Sequence, residues 1–345
     1  MIKGGITILQ WNCRGIYKKL PELKNYLSSF KNRPDLLVLQ ETHLMDPYAP
    51  RIHGYTIFRK DKSISSGGLA IFVRDNLPAY EVNEITSSKL EIQCIRVQNL
   101  HIYNIYIPPD CRLEDNDLNF LNKLPSRTII LGDFNAHHLS WSTSQNSINN
   151  QRGRKLAESL DKNEIVILNV SQPTRINLSV SAVNRYSLLD LTLASSDIAA
   201  KIQTHVTDAL MGSDHFVILT TVNDKVVRSD PMPRKWSFNK ANWKKFSQLV
   251  HTRLESDISL NSNIEELNST ITRSIITAAE STIPRTKNVG KRPIPWWNSD
   301  CQRAVRRKKA AFLKMKRTFN IDDVLAFKKS RSECRRTILN AKRRC

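Results

Sequence analysis

Within the first 222 residues, about ten short apolar runs are each closed by turn-forming residues, and that rhythm limits the possible folds more than any other feature. ITILQW (6–11), LLVLQ (36–40), YTIF (55–58), LAIFV (69–73) and LEIQCIRV (90–97) read as strands. So do LHIYNIYI (100–107), TIILG (128–132), EIVIL (164–168), LLDLTLA (188–194) and HFVILTTV (215–222). QNLHI (98–102), between two alternating segments, predicts a tight hairpin. Helical patterns are few. Leu20, Leu23, Leu27 and Phe30 recur at helical spacing, with Pro21 suited to a first turn, and two more patterns span Asp115 to Leu124 and Gly153 to Asp161. Many strands with few helices predict an α/β fold, a four-layered sandwich of two packed mixed β-sheets flanked by helices.

The texture changes after Val222. VNDKVVRSDPMPRK has two prolines and alternating charges and reads as a linker, placed at 223–238. A helical connector over 239–283 follows, with a stripe of Ile264, Leu267, Ile271, Ile275 and Ala278. After the proline-rich IPRTKNVGKRPIP, Ser299 and Gln302 stand at capping-box spacing and announce a helix whose stripe runs through Val305, Phe312, Met315 and Phe319. Val324, Phe327, Cys334 and Ile338 outline a last one. Residues 284–345 thus read as a basic, all-helical C-terminal extension.

Charge follows this division. Residues 284–345 hold 20 Lys or Arg against 4 Asp or Glu, so +16 of the total +21 lies in the tail. Such a segment attracts phosphate backbones, and DNA is the leading partner, with Arg306, Arg307, Lys308 and Lys309 as contacts. RNA is a second candidate, and a solvated helix face or an anionic membrane surface gives a blander account. Cys13, Cys94, Cys111, Cys301, Cys334 and Cys345 are scattered, without a CxxC pair, which suits a reduced nuclear or cytoplasmic compartment. No stretch approaches 18 uninterrupted apolar residues and the amino terminus lacks an apolar h-region, so neither a membrane span nor secretion is expected.

The informative oddity is polar residues at strand ends: Asn12, Glu41, Asp133, Asn135, Asp190, Asp214 and His215. Each alone has an ordinary account. Asn12 could cap a loop, Glu41 could be solvated, Asp190 could pair with Arg185, and Asp214 could be a turn residue. Together they suit one cleft, because strand termini of stacked sheets share a rim. Mg²⁺ takes one or two carboxylates and completes its octahedron with water and phosphate, and Glu41 with Asn12 or Asp214 would suffice; Mn²⁺ accepts the same ligands. Asp133 and Asn135, two apart on an extended chain, would grip one water. His215 held by Asp190 could stay protonated and face phosphoryl oxygens. The set matches metal-assisted phosphoester hydrolysis.

WN at 11–12, LQET at 39–42, YIPP at 106–109, LGDFN at 131–135, LLDL at 188–191 and GSDH at 212–215 resemble, in order, the motifs of the endonuclease/exonuclease/phosphatase superfamily. GGLAIFVRDNL (67–77), GDFNAHHLSW (132–141), NQRGRKL (150–156) and PWWNSDCQRAVRRKK (295–309) are similar to the AP-endonuclease-like branch at the front of non-LTR retrotransposon polyproteins. The resemblance implies Glu41 as principal metal ligand with Asn12 and Asp214 assisting. It makes Asp133 and Asn135 the pair acting on the nucleophile, His215 the stabiliser of phosphoryl oxygens, Asp190 its orienter, and Tyr106 a phenol near the scissile phosphate. Arg14 stands where repair members carry an acid, and Pro109 where they carry Asn; Arg14 is therefore a candidate DNA contact. The implied reaction is Mg²⁺-dependent nicking of target DNA to leave a 3′-OH that primes reverse transcription. Nothing up to Cys345 resembles a polymerase palm, so the chain reads as a fragment of such an element. A decayed copy that only binds nucleic acid, or a phosphodiesterase acting on other phosphoesters, are the alternatives.

Overall fold

Strands that are buried along their whole length, such as β2 (Leu36–Gln40) and β8 (Thr128–Asp133), belong inside a sandwich where both sheet faces are covered. The computed structural model describes residues 3–62, 67–82, 89–142, 149–179, 185–228, 236–257, 263–285 and 296–344. One six-stranded sheet joins β1 (Lys3–Asn12) and β2 to β3 (Tyr55–Lys60), β4 (Leu69–Arg74), β13 (Ile202–Val206) and β14 (Ile218–Val226), in the order β13-β14-β1-β2-β4-β3. The other contains β5 (Ala79–Val82), β6 (Glu91–Val97), β7 (Leu100–Tyr106), β8, β9 (Ile165–Ile167) and β12 (Asp190–Ser195), in the order β5-β6-β7-β8-β12-β9. Short β10 (Arg175–Ile176) and β11 (Tyr186–Ser187) pair with each other. Both large sheets are mixed, with β1/β2 and β7/β8 parallel and their other neighbours antiparallel.

Four layers result. α1 (Leu20–Ser29), with Pro21 in its first turn, crosses over between the parallel β1 and β2. It lays Leu20, Leu23 and Leu27 on Leu9, Trp11, Leu37 and Leu39. Between the sheets, Ile6, Ile8, Leu36 and Val38 meet Ile102, Ile129 and Leu131. On the far side, Tyr103, Ile105, Ile130 and Leu193 are covered by α2 (Gln151–Lys162) and by Leu118 and Leu121. Those two leucines lie in a 3-10 helix, Asp115–Lys123, where an α-helix was expected. The hairpin at 98–102 forms, with Gln98 at φ +57°. A one-turn α3 (Ser196–Ala199) leads to β13.

The inter-sheet core also contains a polar seam. Gln10 Nε2 donates to the Gly132 carbonyl at 3.1 Å, and Gln40 Nε2 to Asn104 Oδ1 at 2.8 Å. Asn104 in turn donates to the Leu39 carbonyl at 3.0 Å, and the Thr192 hydroxyl to Gln10 Oε1 at 3.2 Å. All four side chains are inaccessible to solvent and depend on these partners.

β14 continues through Val226, so strand replaces the beginning of the expected linker; residues 229–235 and 286–295 of the two proline-rich stretches lie outside the described residues. The chain divides into two compact units, Met1–Ser229 with Ile294–Cys345, and Asp230–Pro293. The second contains α4 (Trp243–Asp257) and α5 (Ile264–Thr282), with Arg285 stacked 4.0 Å from the Trp236 ring. Within α5, Ala278 is buried as expected, whereas Ile264 and Ile275 of the expected stripe are exposed.

The first unit includes a hairpin of α6 (Ser299–Thr318) and α7 (Ile321–Arg343). Its N-cap is Asn298, one residue before the expected Ser299, accepting from the Cys301 amide at 3.0 Å. Phe312, Met315, Val324 and Phe327 of the hairpin pack with Ile176, Leu210 and Phe216 of the sandwich. No described helix is long and apolar enough to cross a membrane.

Candidate active site

Strand ends of both sheets meet at one rim. Tyr106 of β7 pairs with Asp133 of β8 across a parallel ladder, and Asp133 pairs with Asp190 of β12 across an antiparallel one, which sets the three side by side. The facing sheet supplies Asn12, the last residue of β1, and Glu41, which follows β2. Asp214 and His215 precede β14. They are anchored from β1, because the Trp11 indole donates to the His215 carbonyl at 3.3 Å and the Ser213 hydroxyl to the Asn12 carbonyl at 2.8 Å.

The side chains form one network. Asn12 Nδ2 donates both to Glu41 Oε1 at 2.8 Å and to Asp133 Oδ2 at 2.7 Å, linking the sheets. Asn12 Oδ1 accepts from the Arg14 amide at 3.1 Å, so the amide turns nitrogen rather than oxygen to the carboxylates. His215 Nδ1 lies 2.8 Å from Asp190 Oδ2, and its Nε2 lies 3.8 Å from Asp133 Oδ2, a gap that suits an atom between them. All three residues are buried. Burial, reinforced by Asp190, pushes the Asp133 carboxyl up to about 7. Burial opposes charge on His215, but Asp190 and Asp133 outweigh it and hold its imidazolium up to about 9. Burial, with Glu41 and Asp133 nearby, raises the Tyr106 phenol far enough to keep it protonated, and the phenol hydrogen-bonds Glu41.

Ligand atoms of Asp133, Asp190 and His215 lie within 4.8 Å of one another, close enough to share a divalent cation. An imidazolium, however, has no free lone pair to ligate with. A second, more open acidic edge lies beside them. Arg14 Nη1 donates to Asp214 Oδ2 at 2.8 Å, and its Nε lies 3.9 Å from Glu41 Oε2. Arg175 Nε also donates to Asp214, at 2.9 Å, and His43 Nε2 lies 3.5 Å from Glu41 Oε2. Burial would raise the Asp214 carboxyl, but His215, Arg14 and Arg175 hold it down to about 2. The Arg14 side chain is 48% exposed, and the carboxylates it bridges form an oxygen-rich edge of the kind Mg²⁺ or Mn²⁺ takes. A cleft of about 820 Å³ opens here.

Four residues of the rim sit in left-handed backbone, Arg14 at φ +43°, Glu41 at +47°, His43 at +50° and Asn135 at +46°. Such conformations cost on the order of 1–3 kcal/mol each and persist where surrounding structure imposes them. For Asn135 this replaces the expected extended pair with Asp133: the strand ends at Asp133 and the chain turns. The Asn135 amide N–H donates to Asp133 Oδ1 at 3.0 Å, and its side-chain Nδ2 to the Ile107 carbonyl at 3.0 Å. Arg152, from the NQRGRKL segment, holds the Asn135 carbonyl at 2.7 Å.

Other expected residues are placed differently. Arg185 stacks 5.2 Å from the Phe319 ring instead of meeting Asp190. Lys308 is buried in an ion pair with Glu22, so its charge is neutralised inside the fold instead of facing DNA. Arg306, Arg307 and Lys309 are exposed on α6, and none lines the cleft at Arg14 and Asp214. Arg175 and His43 had no sequence signal of their own. Charge alone does not tell a basic residue at a site from one in solvent.

An endonuclease-reverse transcriptase family matches residues 100–219. Over 303 residues the chain is 24% identical to a probable RNA-directed DNA polymerase from transposon X-element of Drosophila melanogaster, covering 84% of this chain and 32% of that protein. A probable RNA-directed DNA polymerase from transposon BS of the same organism is 27% identical over 300 residues, with 84% and 31% covered. The chain thus spans about a third of the length of these relatives. The endonuclease domain of TRAS1, a telomere-specific non-LTR retrotransposon, shares the fold at 23% identity and a TM-score of 0.52, covering 64% of this chain and 98% of that one. The chain is thus similar, over residues 100–219, to the endonuclease-reverse transcriptase family, and its sandwich has the fold of the endonuclease domain of a non-LTR retrotransposon.

Proposed function

We propose that the chain is a divalent-metal-dependent DNA endonuclease that nicks one strand and leaves a 3′-OH able to prime reverse transcription. The observation that carries this is the Asp133–His215–Asp190 cluster joined through Asn12 to Glu41.

In this reading Asp133 takes the proton of the attacking water, for which a carboxyl raised to about 7 is a competent base. Asn135, its nitrogen fixed on the Ile107 carbonyl, keeps Oδ1 to accept from the same water. Asp190 holds Nδ1–H of His215, whose Nε2–H is left to donate to a phosphoryl oxygen and neutralise the charge that develops there. Tyr106, protonated beside Glu41, donates near the same phosphate. Glu41, with Asp214 and a turned-over Asn12 in support, would hold Mg²⁺ or Mn²⁺, which would stabilise the departing 3′-oxygen.

Incubation with supercoiled plasmid and Mg²⁺ tests the reading. Nicking that stops with EDTA and in His215→Ala is expected. Equal nicking by wild type and His215→Ala would remove the cluster from the chemistry.

A further inference from the structure

The 820 Å³ cleft beside Asp214 has a second wall that does not come from the sandwich. Arg14, Arg175 and Asp214 form one side, Lys18 lies in the turn before α1, and Lys328, Arg331 and Arg335 of α7 form the other. Positions 328, 331 and 335 share one face of α7, while Phe327, Cys334 and Ile338 are buried on another.

The wall is fixed in place. The Phe216 ring, next to His215, packs 6.0 Å from that of Phe312 at a tilt of 54°, and Ile176, next to Arg175, lies in the same apolar cluster as Val324 and Phe327. Lys308 pairs with Glu22 and Lys316 with Asp208, while Lys342 sits 5.1 Å over the Tyr17 ring. The two acids of the cleft are already engaged, Glu22 by Lys308 and Asp214 by Arg14 and Arg175. Among the described residues Lys328, Arg331 and Arg335 have no ion-pair partner. A groove left with uncompensated positive charge along a wall, running into a phosphoester-cleaving rim, fits a polyanionic strand rather than a compact phosphate ester.

We propose that Lys328, Arg331 and Arg335 of α7 bind backbone phosphates of the DNA strand being cut, to one side of the scissile bond. This makes the C-terminal hairpin part of the substrate cleft, and it rests on the reading that the rim cleaves DNA. The tail then meets DNA through one face of α7 rather than through the α6 run Arg306–Lys309.

The test measures binding of the full chain to a fluorescent duplex in EDTA, by anisotropy across a salt series, so that it needs no turnover. Lys328→Ala/Arg331→Ala/Arg335→Ala should flatten the slope of log affinity against log salt by about 1 per residue. It should also raise the KM for plasmid nicking about tenfold or more. Lys329→Ala/Arg336→Ala/Arg343→Ala removes the same charge from a neighbouring face of α7, about 100° round the helix and outside the cleft, and should change the slope by clearly less. Equal flattening by both triples overturns the proposal, as does a loss confined to binding of an RNA hairpin. If the first triple misfolds, exposed Arg335→Ala alone should still lower the slope by about 1. A wild type that shows the slope difference but no nicking would sink the endonuclease reading while leaving the α7 phosphate contact standing.

Discussion

Asp133 and Asp190 stand directly opposite each other across β8 and β12, two buried carboxyls in register, and the imidazole of His215 reaches towards both. Like charges in that relation repel, and the imidazolium between them makes the arrangement tolerable. The nicking rate should therefore rise through about pH 7 as Asp133 loses its proton and fall above about pH 9 as His215 loses its own. In Asp190→Asn both limbs should move to lower pH, because Asp190 raises both groups. Initial rates across pH 5 to 10 check this, and an acid limb that stays put in the variant would refute it. Asp133→Asn itself should lower kcat by about 10²- to 10⁴-fold, the usual contribution of a positioned base.

Arg14 spans the two acids of the open edge, 2.8 Å from Asp214 and 3.9 Å from Glu41. A cation arriving at Glu41 competes with that guanidinium. Arg14→Ala should tighten metal binding by up to about fivefold, since a partly exposed pair is worth up to about 1 kcal/mol. Titration of Mn²⁺ or Mg²⁺ by calorimetry, without DNA, reads it directly. Unchanged or weaker metal binding would mean that Arg14 does not contest the edge.

Gly132 of the LGDFN motif packs against β7 so closely that a Cβ there would lie 2.2 Å from the Ile105 carbonyl oxygen. The backbone on both sides is in sheet, so nothing flexible can yield. Gly132→Ala should destabilise the fold by about 3 kcal/mol or more, in the range of severe core overpacking. A thermal melt within a degree or two of wild type would contradict it.

Much of this was legible in the residues. Alternation and apolar runs located the strands, and six ordered motifs pointed to the residues that meet at the rim. Three matters were beyond local pattern. Register between distant strands decides that Asp133 faces Asp190, and no segment encodes it alone. The left-handed turn at Asn135 is imposed by its hydrogen bonds to Asp133 and Ile107. The periodicity of Phe312, Val324 and Phe327 shows that the tail buries a face, but not that the face meets Phe216, and the run Arg306–Lys309 gave no sign that Lys308 would turn inward to Glu22.

That docking changes what a truncation would report. Removing the tail uncovers Phe216, Leu210 and Ile176, so a chain ending near Ser229 should be less soluble and less stable, not merely weaker for DNA. Phe312→Ala offers a milder version and should cost about 3–5 kcal/mol, the range for truncating a buried aromatic. Chemical denaturation measures it, and a cost below about 1 kcal/mol would mean the hairpin is only loosely seated.

The polar seam of Gln10, Gln40, Asn104 and Thr192 has a bearing on precision. Apolar side chains between two sheets tolerate a small slide, because dispersion is nearly indifferent to direction. Hydrogen bonds of 2.8 to 3.2 Å are not, and they act as a detent that clicks the two sheets into one relative setting. Since Glu41 and Asn12 ride on one sheet and Asp133 and Asp190 on the other, the alignment of the polar groups at the rim is only as sharp as that detent. The geometry of the rim is thus calibrated from inside the sandwich, by three amides and a hydroxyl that lie away from the cleft.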